Sequence, residues 1–379
     1  MFLKHLELLN YRNYEECCID FTTNKTLIIG KNAQGKTNLL ESIYFLASLS
    51  SYRAKNDNEL VLWGKDFARI KGDLNKFDTD IELDVWLNPS KKKTLKINGI
   101  KKSKYSQFIG SLIVVKFGVD DLLLLRGAPQ DRRRWLDASI SQIYPAYVER
   151  LAKYNKIRVQ RNNLLKSYKG NFNLSDFQKS SLEVWDEQLV ISGSNLIYLR
   201  QKYLKEIQER AFKKHKNIAS NESLLLKYNS TVSGDFDAQD DTPVTPEVIT
   251  EKYREKLLEK RNEEVIRAQT VVGPHRDDIS FFINGIDSKS YASQGQQRTI
   301  VLSLKLAELE LINNKIGENP VLLLDDVLAE LDQTRQNYLL ESIGDNIQTI
   351  ITSVDVLSFK PEFLKDVRIL NILNGKVVD

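Results

Sequence analysis

The chain has 379 residues, 41% of them hydrophobic and 28% charged, with a net charge of +4. Those proportions suit a soluble globular protein with room for two or three domains, and so small a net charge does not by itself demand a nucleic-acid partner. No uninterrupted apolar run approaches the roughly 20 residues of a membrane span, and the first residues, MFLKHLELLNYRNY, lack the long apolar region of a secretory signal. Cys17 and Cys18 are adjacent, which disfavours a structural disulfide and has no metal-ligand spacing. A cytoplasmic protein is therefore expected.

In chain order, FLKHLELLNYRNY, CCIDF and TLIIG read as strands. The last runs into GKNAQGKT, with Gly30, Gly35, Lys36 and Thr37 at the spacing of a phosphate-binding loop and Lys31, Asn32, Ala33 and Gln34 between. From Lys36 onward, Leu39, Leu40, Ile43, Leu46 and Ala47 recur at helical spacing, and the expected nucleotide-binding residues run from Gly30 to Asn38. Glycines at a strand-to-helix turn let backbone N–H groups close round phosphates, and the helix N-terminus adds positive potential. Lys36 would reach the β- and γ-phosphates of ATP, and Thr37 would offer its hydroxyl to Mg²⁺. FARIKGDL, DIELDVWL and TLKINGIKK then read as a meander with Asn98-Gly99 as a hairpin turn, and IVVKF as a further strand.

From about Pro129 to about Arg267, helix-forming stretches dominate. Pro145 should interrupt the first of them. A polar linker is expected near KGNFNLSDFQ and an exposed acidic loop over residues 233–247. Strand signals return with TVVGPHRDDISFFINGIDSK, which carries a second Asn-Gly turn at Asn284-Gly285. The expected fold is α/β, in three parts: a first half with a mixed β region over 1–128, an inserted helical lobe over 129–268, and a second half over 269–379.

Two further motifs lie in the second half. SQGQQRTIVLSLKLAEL starts a long helix with Ser293 and Gly295, an anion site made of backbone N–H groups and the helix dipole, or else a plain N-capped helix. One phosphate site is already served by Gly30 to Thr37. A second makes sense if two copies meet head to tail, each presenting this tip to the other's nucleotide. PVLLLDDVLAELD describes a buried strand that delivers Asp325 and Asp326 to the C-terminal edge of a parallel sheet. Asp325 would hold Mg²⁺ through water, and Asp326 would stand where a base or water-positioning carboxylate directs attack on the γ-phosphate. Lys36, Asp325 and Asp326 are the expected catalytic residues, and Thr37 and Asp325 the metal-binding ones. RILNILNGKVVD at the end of the chain reads as a small hairpin.

In this order and split by a large insertion, GKNAQGKT, SQGQQR and LLLDDVLAELD resemble the ABC-type P-loop ATPase heads of SMC-like DNA repair proteins. FGVDDLLLLRGAPQDRRRWLD and VVGPHRDD are similar, more narrowly, to stretches of the RecF family of bacterial recombination mediators. The resemblance implies a weak, DNA-stimulated ATPase whose ATP-driven homodimer clamps duplex DNA at single-strand gaps and, with RecO and RecR, helps to load RecA. It also makes Ser293, Gly295 and Gln296 the signature motif that meets the other copy's nucleotide, and Ala329 to Asp332 a loop at the dimer seam. Thr352, Ser353 and Asp355 stand where many ABC heads carry a switch histidine, which this family lacks too. Val119 replaces the family's proline, and Asp120 its more usual glutamate.

For DNA, KKKTLKINGIKKSK gathers seven lysines about a hairpin, with Lys91, Lys92, Lys93, Lys101 and Lys102 as candidate phosphate contacts. The alternative is a solvated sheet edge. KYNKIRVQRNNLLKSYK is a basic helix of the same promise. In RGAPQDRRRW, consecutive arginines cannot share one helix face, so Arg132 and Arg133 either pair with carboxylates or reach phosphate. GPHRDD is a polar turn held by internal ion pairs or, by resemblance, part of a site near the nucleotide or the DNA. No aromatic-interleaved pattern signals base stacking, so contacts to backbone and shape are expected.

Two other classes share the nucleotide motifs. A membrane transporter's ATPase subunit would carry Leu-Ser-Gly-Gly-Gln, a switch histidine and a shorter helical subdomain. A chromosome-tethering SMC protein needs arms of hundreds of residues with sustained heptads, more than this insertion holds.

Overall fold

The computed structural model describes residues 1–169, 174–239, 245–356, 359 and 361–378. The chain opens with β1 (Phe2–Tyr11), β2 (Tyr14–Asp20), β3 (Lys25–Ile29) and α1 (Lys36–Ser48), followed by β4 (Ala68–Lys76), β5 (Thr79–Leu87), β6 (Thr94–Ile97), β7 (Ile100–Lys102) and β8 (Val114–Gly118). Next come α2 (Leu123–Arg126), α3 (Pro129–Ile143), α4 (Ala146–Ser167), α5 (Asp176–Ile218), β9 (Leu224–Ser230), β10 (Gly234–Asp237), α6 (Pro246–Arg267), β11 (Asp278–Ile283), β12 (Ile286–Asp287) and α7 (Ser288–Tyr291). The last part holds α8 (Gln294–Ile316), β13 (Val321–Asp325), α9 (Gln333–Ile343), β14 (Thr349–Ser353), α10 (Pro361–Leu364), β15 (Val367–Leu373) and β16 (Lys376–Val378).

These elements form two compact units, one of residues 1–121 and 301–379, the other of residues 122–300. The first unit holds two six-stranded sheets. In one, ordered β2-β1-β4-β5-β6-β7, every described pairing is antiparallel. In the other, β16-β15-β3-β14-β13-β8, only the β15–β16 pairing is antiparallel. Helix α1 touches β1 and β4 of the meander as well as β8, β13 and β14, and it buries Leu39, Leu40, Ile43, Phe45 and Leu46 in doing so. The parallel register matters for function. β14 lies between β3 and β13, pairing Ser353 with Ile29 and Ile351 with Leu324. The ends of the phosphate-loop strand and the acid-bearing strand therefore meet at one edge of the sheet, with Thr352 between them.

The second unit differs from the expected helical lobe. Residues 224–230 and 234–237 are strands that join β11 and β12 in a four-stranded sheet, β10-β9-β11-β12. Part of the expected acidic loop is thus strand, while residues 240–244 of it, like 170–173 of the expected polar linker, lie outside the described residues. Because β11 pairs with β9, the unit extends to residue 300 instead of ending near 268. Pro145 does separate α3 from α4.

Buried arginines tie this unit together. Arg200 on α5 binds Asp137 through Nε and Nη2, both at 3.0 Å, and donates to the Pro274 carbonyl at 2.6 Å. Arg161 on α4 reaches Asp186, Glu264 and Thr270. A guanidinium removed from water must have its donors met, and here carboxylates, a carbonyl and hydroxyls meet them. GPHRDD sits in the same network: Asp277 accepts from Tyr228 and from the Thr231 amide and hydroxyl, and His275 lies 2.6 Å from the Tyr154 hydroxyl. It is an internal polar turn, except for Arg276, which is exposed.

Burial, together with the nearby cations Arg158, Arg276 and Arg133, pushes the His275 imidazole down to about 3. An unfolded chain protonates this group near 6.5 while the folded chain does not, so stability is full above that value and is lost as pH falls toward about 3. Urea midpoints should therefore drop between pH 7 and pH 5, and less so in His275→Gln. An equal drop in both proteins would remove the histidine as the cause.

Candidate nucleotide-binding site

The loop after β3 is shaped by contacts that only glycine permits. A side chain at Gly30 would place Cβ 2.5 Å from the Ile372 carbonyl oxygen on β15, and one at Gly35, where φ is +116°, would lie 2.6 Å from Asn13 Nδ2. Between them Lys31, Asn32 and Ala33 face solvent. The loop's far side is tied down from three directions. Tyr14 donates its hydroxyl to the Gly35 carbonyl at 3.0 Å, Asn13 donates to the Gln34 carbonyl at 3.1 Å, and the terminal hairpin turn donates the Gly375 amide to that same carbonyl and the Asn374 amide to Gln34 Oε1. The Lys36 side chain is buried and curls over the loop, donating from Nζ to the carbonyls of Gly30 (2.7 Å) and Lys31 (3.2 Å). Asn38 donates to Asn13 and accepts from Arg53.

Helix α1 is fixed from below by an ion pair that the sequence does not advertise. Glu41, fully buried, takes two bonds of 2.8 Å from Arg12 at the end of β1. Such a bidentate pair sets orientation as well as energy.

The acid-bearing strand meets the loop directly. Thr37 Oγ1 donates to Asp325 Oδ1 at 2.9 Å, and Thr352 Oγ1 lies 3.1 Å from the same oxygen. Tyr52 donates to Asp325 Oδ2 at 3.2 Å. Burial raises the Asp325 carboxyl, and the bonds from Thr37 and Thr352 pull against it. Asp326 is less buried, sits at φ 52°, and donates its amide to Thr352 Oγ1 at 2.9 Å. One threonine thus holds both members of the acidic pair. Lys116 stands 4.1 Å above the Tyr52 ring and pairs with Asp120 and Asp121, the latter also bound by Lys305 at 3.0 Å. Asp120 therefore fills a charge role beside the site, and Val119 is exposed.

This set of atoms suits a nucleoside triphosphate with Mg²⁺. The glycine cradle admits no side chain, the loop is followed by a helix N-terminus and a buried ammonium, and the Thr37 hydroxyl and Asp325 carboxylate are hard oxygen donors side by side.

The serine-led tip belongs to the second unit. Ser293 and Gln296 cap α8 reciprocally: Ser293 Oγ accepts from the Gln296 amide at 3.2 Å, and the Ser293 amide donates to Gln296 Oε1 at 2.8 Å. Gln296 Nε2 also donates to Glu222 at 2.9 Å. Ser293 is exposed, and Gly295 beside it is half-buried.

The family described as RecF/RecN/SMC N terminal domain matches residues 2–363. Curated relatives named DNA replication and repair protein RecF, from Bacillus thuringiensis (strain Al Hakam) and Bacillus cereus (strain B4264), are each 42% identical over all of this chain and 98% of theirs. The chain belongs to the RecF family. A solved structure of the recombination mediator protein RecF-ATP in the RecFOR pathway superposes with a TM-score of 0.88 at 34% identity, over 100% of this chain and 97% of that one. An Smc head bound to the C-winged helix domain of ScpA reaches 0.51 at 14% identity over 100% of this chain and 98% of that one, a likeness of fold alone. The family assignment sets aside the transporter and chromosome-tether readings.

Among this family member's expected DNA contacts, two are overturned. Arg132 is buried, chelates Asp278 at 2.6 and 2.9 Å, and donates to the carbonyls of Leu124 and Gly127, so its guanidinium is spent inside the unit and out of reach of phosphate. Lys93 turns inward to the Leu49 carbonyl at 2.6 Å and Asp57 at 3.1 Å, over the Phe45 ring. Arg133 is half-buried and donates to the Asp277 carbonyl. In the basic helix, Arg161 is likewise spent inside. Lys91, Lys92 and Lys101 face solvent, and Lys102 is half-exposed. No helix among the described residues is long and apolar enough to cross a membrane.

Proposed function

We propose that this RecF-family protein serves DNA replication and repair as an ATP-gated clamp. Lys36, with the loop from Gly30 to Asn38, would hold ATP, Thr37 and Asp325 would hold Mg²⁺, and the tip at Ser293, Gly295 and Gln296 of a second copy would complete the pocket. The observation that carries this reading is the bond between Thr37 and Asp325, because it joins the two nucleotide motifs in one unit; Ser293 at the serine-led tip is exposed. Bound Mg²⁺ would offset phosphate charge and polarise the γ-phosphoryl group. Asp326, held by its amide and less buried than Asp325, would orient water or take its proton.

Pairing would grip duplex DNA beside single-strand gaps, and slow, DNA-stimulated hydrolysis would release it. The similarity to a protein of the RecFOR pathway supports RecO and RecR as partners, and RecA loading would be the outcome. Asp326→Asn should bind ATP as the parent does while hydrolysing it roughly 100-fold more slowly, and should stay on DNA longer. A colorimetric phosphate assay with and without duplex DNA checks both the rate and its stimulation. Parental turnover by the asparagine variant would remove Asp326 from the chemistry.

A further inference from the structure

We propose that the open face of the meander sheet carries a separate site for an unpaired nucleotide, with Phe67 and Trp86 stacking its base and Lys91, Lys92 and Lys96 meeting its phosphates. Register builds this face. Trp86 on β5 stands opposite Arg69 on β4 and Thr94 on β6, and one step along the sheet Asp84 stands opposite Lys71 and Lys96. The alternate residues Leu83, Val85 and Leu95 point into the core, so the Trp86 row faces outward.

A cavity of about 360 Å³ opens there, and Phe67, Trp86, Asn88, Thr94 and the three lysines are among the residues that line it. That volume lies within the roughly 300–1,000 Å³ of small-ligand pockets. Phe67 and Trp86 are stacked, with ring centroids 5.4 Å apart and planes 28° from parallel. Arg69 lies 5.1 Å from the indole but outside the lining, and it chelates Asp84, which also accepts from Trp86 Nε1. The acid is thus neutralised and the indole is pinned in its rotamer. Lys91, Lys92 and Lys96, by contrast, have no carboxylate partner among the described residues.

An apolar aromatic floor alone would suit many ligands, and unpaired lysines alone would suit any phosphate. Their combination, with amide and hydroxyl groups between, fits a planar base joined to an anionic backbone. A base inside a duplex cannot reach such a floor, so the site selects unpaired strand. The inference rests on the DNA reading above for the source of that strand, but not on ATP or pairing.

The test therefore omits nucleotide. Full-length protein should bind a short thymidine oligonucleotide about tenfold more tightly than the same strand without bases, as base–aromatic stacking requires. Trp86→Leu should abolish that difference while leaving duplex affinity and ATP binding unchanged, and Lys91→Glu with Lys92→Glu should weaken both strands together. Equal binding of the two strands by the parent protein, or a difference that survives in Trp86→Leu, would overturn the site. In the unsubstituted protein, a strand carrying 5-iodouracil should photocrosslink to Phe67 or Trp86. Adducts only elsewhere would overturn it regardless of how the variants fold.

Discussion

Lys36→Met should abolish ATP binding, lowering affinity by more than roughly 100-fold, because removing one partner of a buried charged contact typically costs several kcal/mol. The ammonium is buried where the carbonyls of Gly30 and Lys31 already orient it, so phosphate would meet a positive charge that water cannot screen. Methionine keeps the length of the stem and removes only the charge and its donors. The fold should survive, since α1 is held by its apolar face and by the Arg12–Glu41 pair. Calorimetry with an ATP analogue reads the loss, and thermal unfolding confirms that the protein is intact. Parental affinity in the methionine variant would dismiss the loop as the nucleotide site.

Ser293→Arg should separate nucleotide binding from pairing. Within one chain the serine is a helix cap, and losing it costs about 1 kcal/mol of stability. If the tip serves only the partner's phosphates, ATP affinity of the monomer should stay within about twofold, the scatter expected of a surface change. In a composite pocket, however, an arginine at the exposed tip would occupy the space meant for the partner's phosphates. Sedimentation with an ATP analogue should show no dimer. A variant that pairs like the parent would reduce Ser293 to a cap and nothing more.

Local features of this chain were legible from sequence, and long-range choices were not. The phosphate loop follows from glycine spacing between an apolar run and a helical repeat, and both Asn-Gly turns close the hairpins expected of them. The strand at 224–230 was hidden differently. Its alternation is present, with Leu224, Leu226, Tyr228 and Ser230 buried, but its partner β11 lies some fifty residues on, across a helix. Composition around it spoke for helix and loop. That one pairing moves the end of the second unit from about 268 to 300.

The arginine run shows the same limit. Periodicity says that Arg132, Arg133 and Arg134 point different ways, yet only the fold brings Asp278 to Arg132. Tyr52 and Arg12 bear no motif, and their work at Asp325 and Glu41 appears only once loop and strand are in place. Likewise the aromatic pair beneath the lysines could not be read as interleaved, because Phe67 and Trp86 come from outside the lysine-rich hairpin and reach it through strand pairing.

Multi-angle light scattering of the parent protein with a non-hydrolysable ATP analogue, with and without duplex DNA, tests the composite pocket most directly. A mass of one chain without nucleotide should double when the analogue is added, and the doubled species should carry DNA. A mass of one chain under every condition would contradict it.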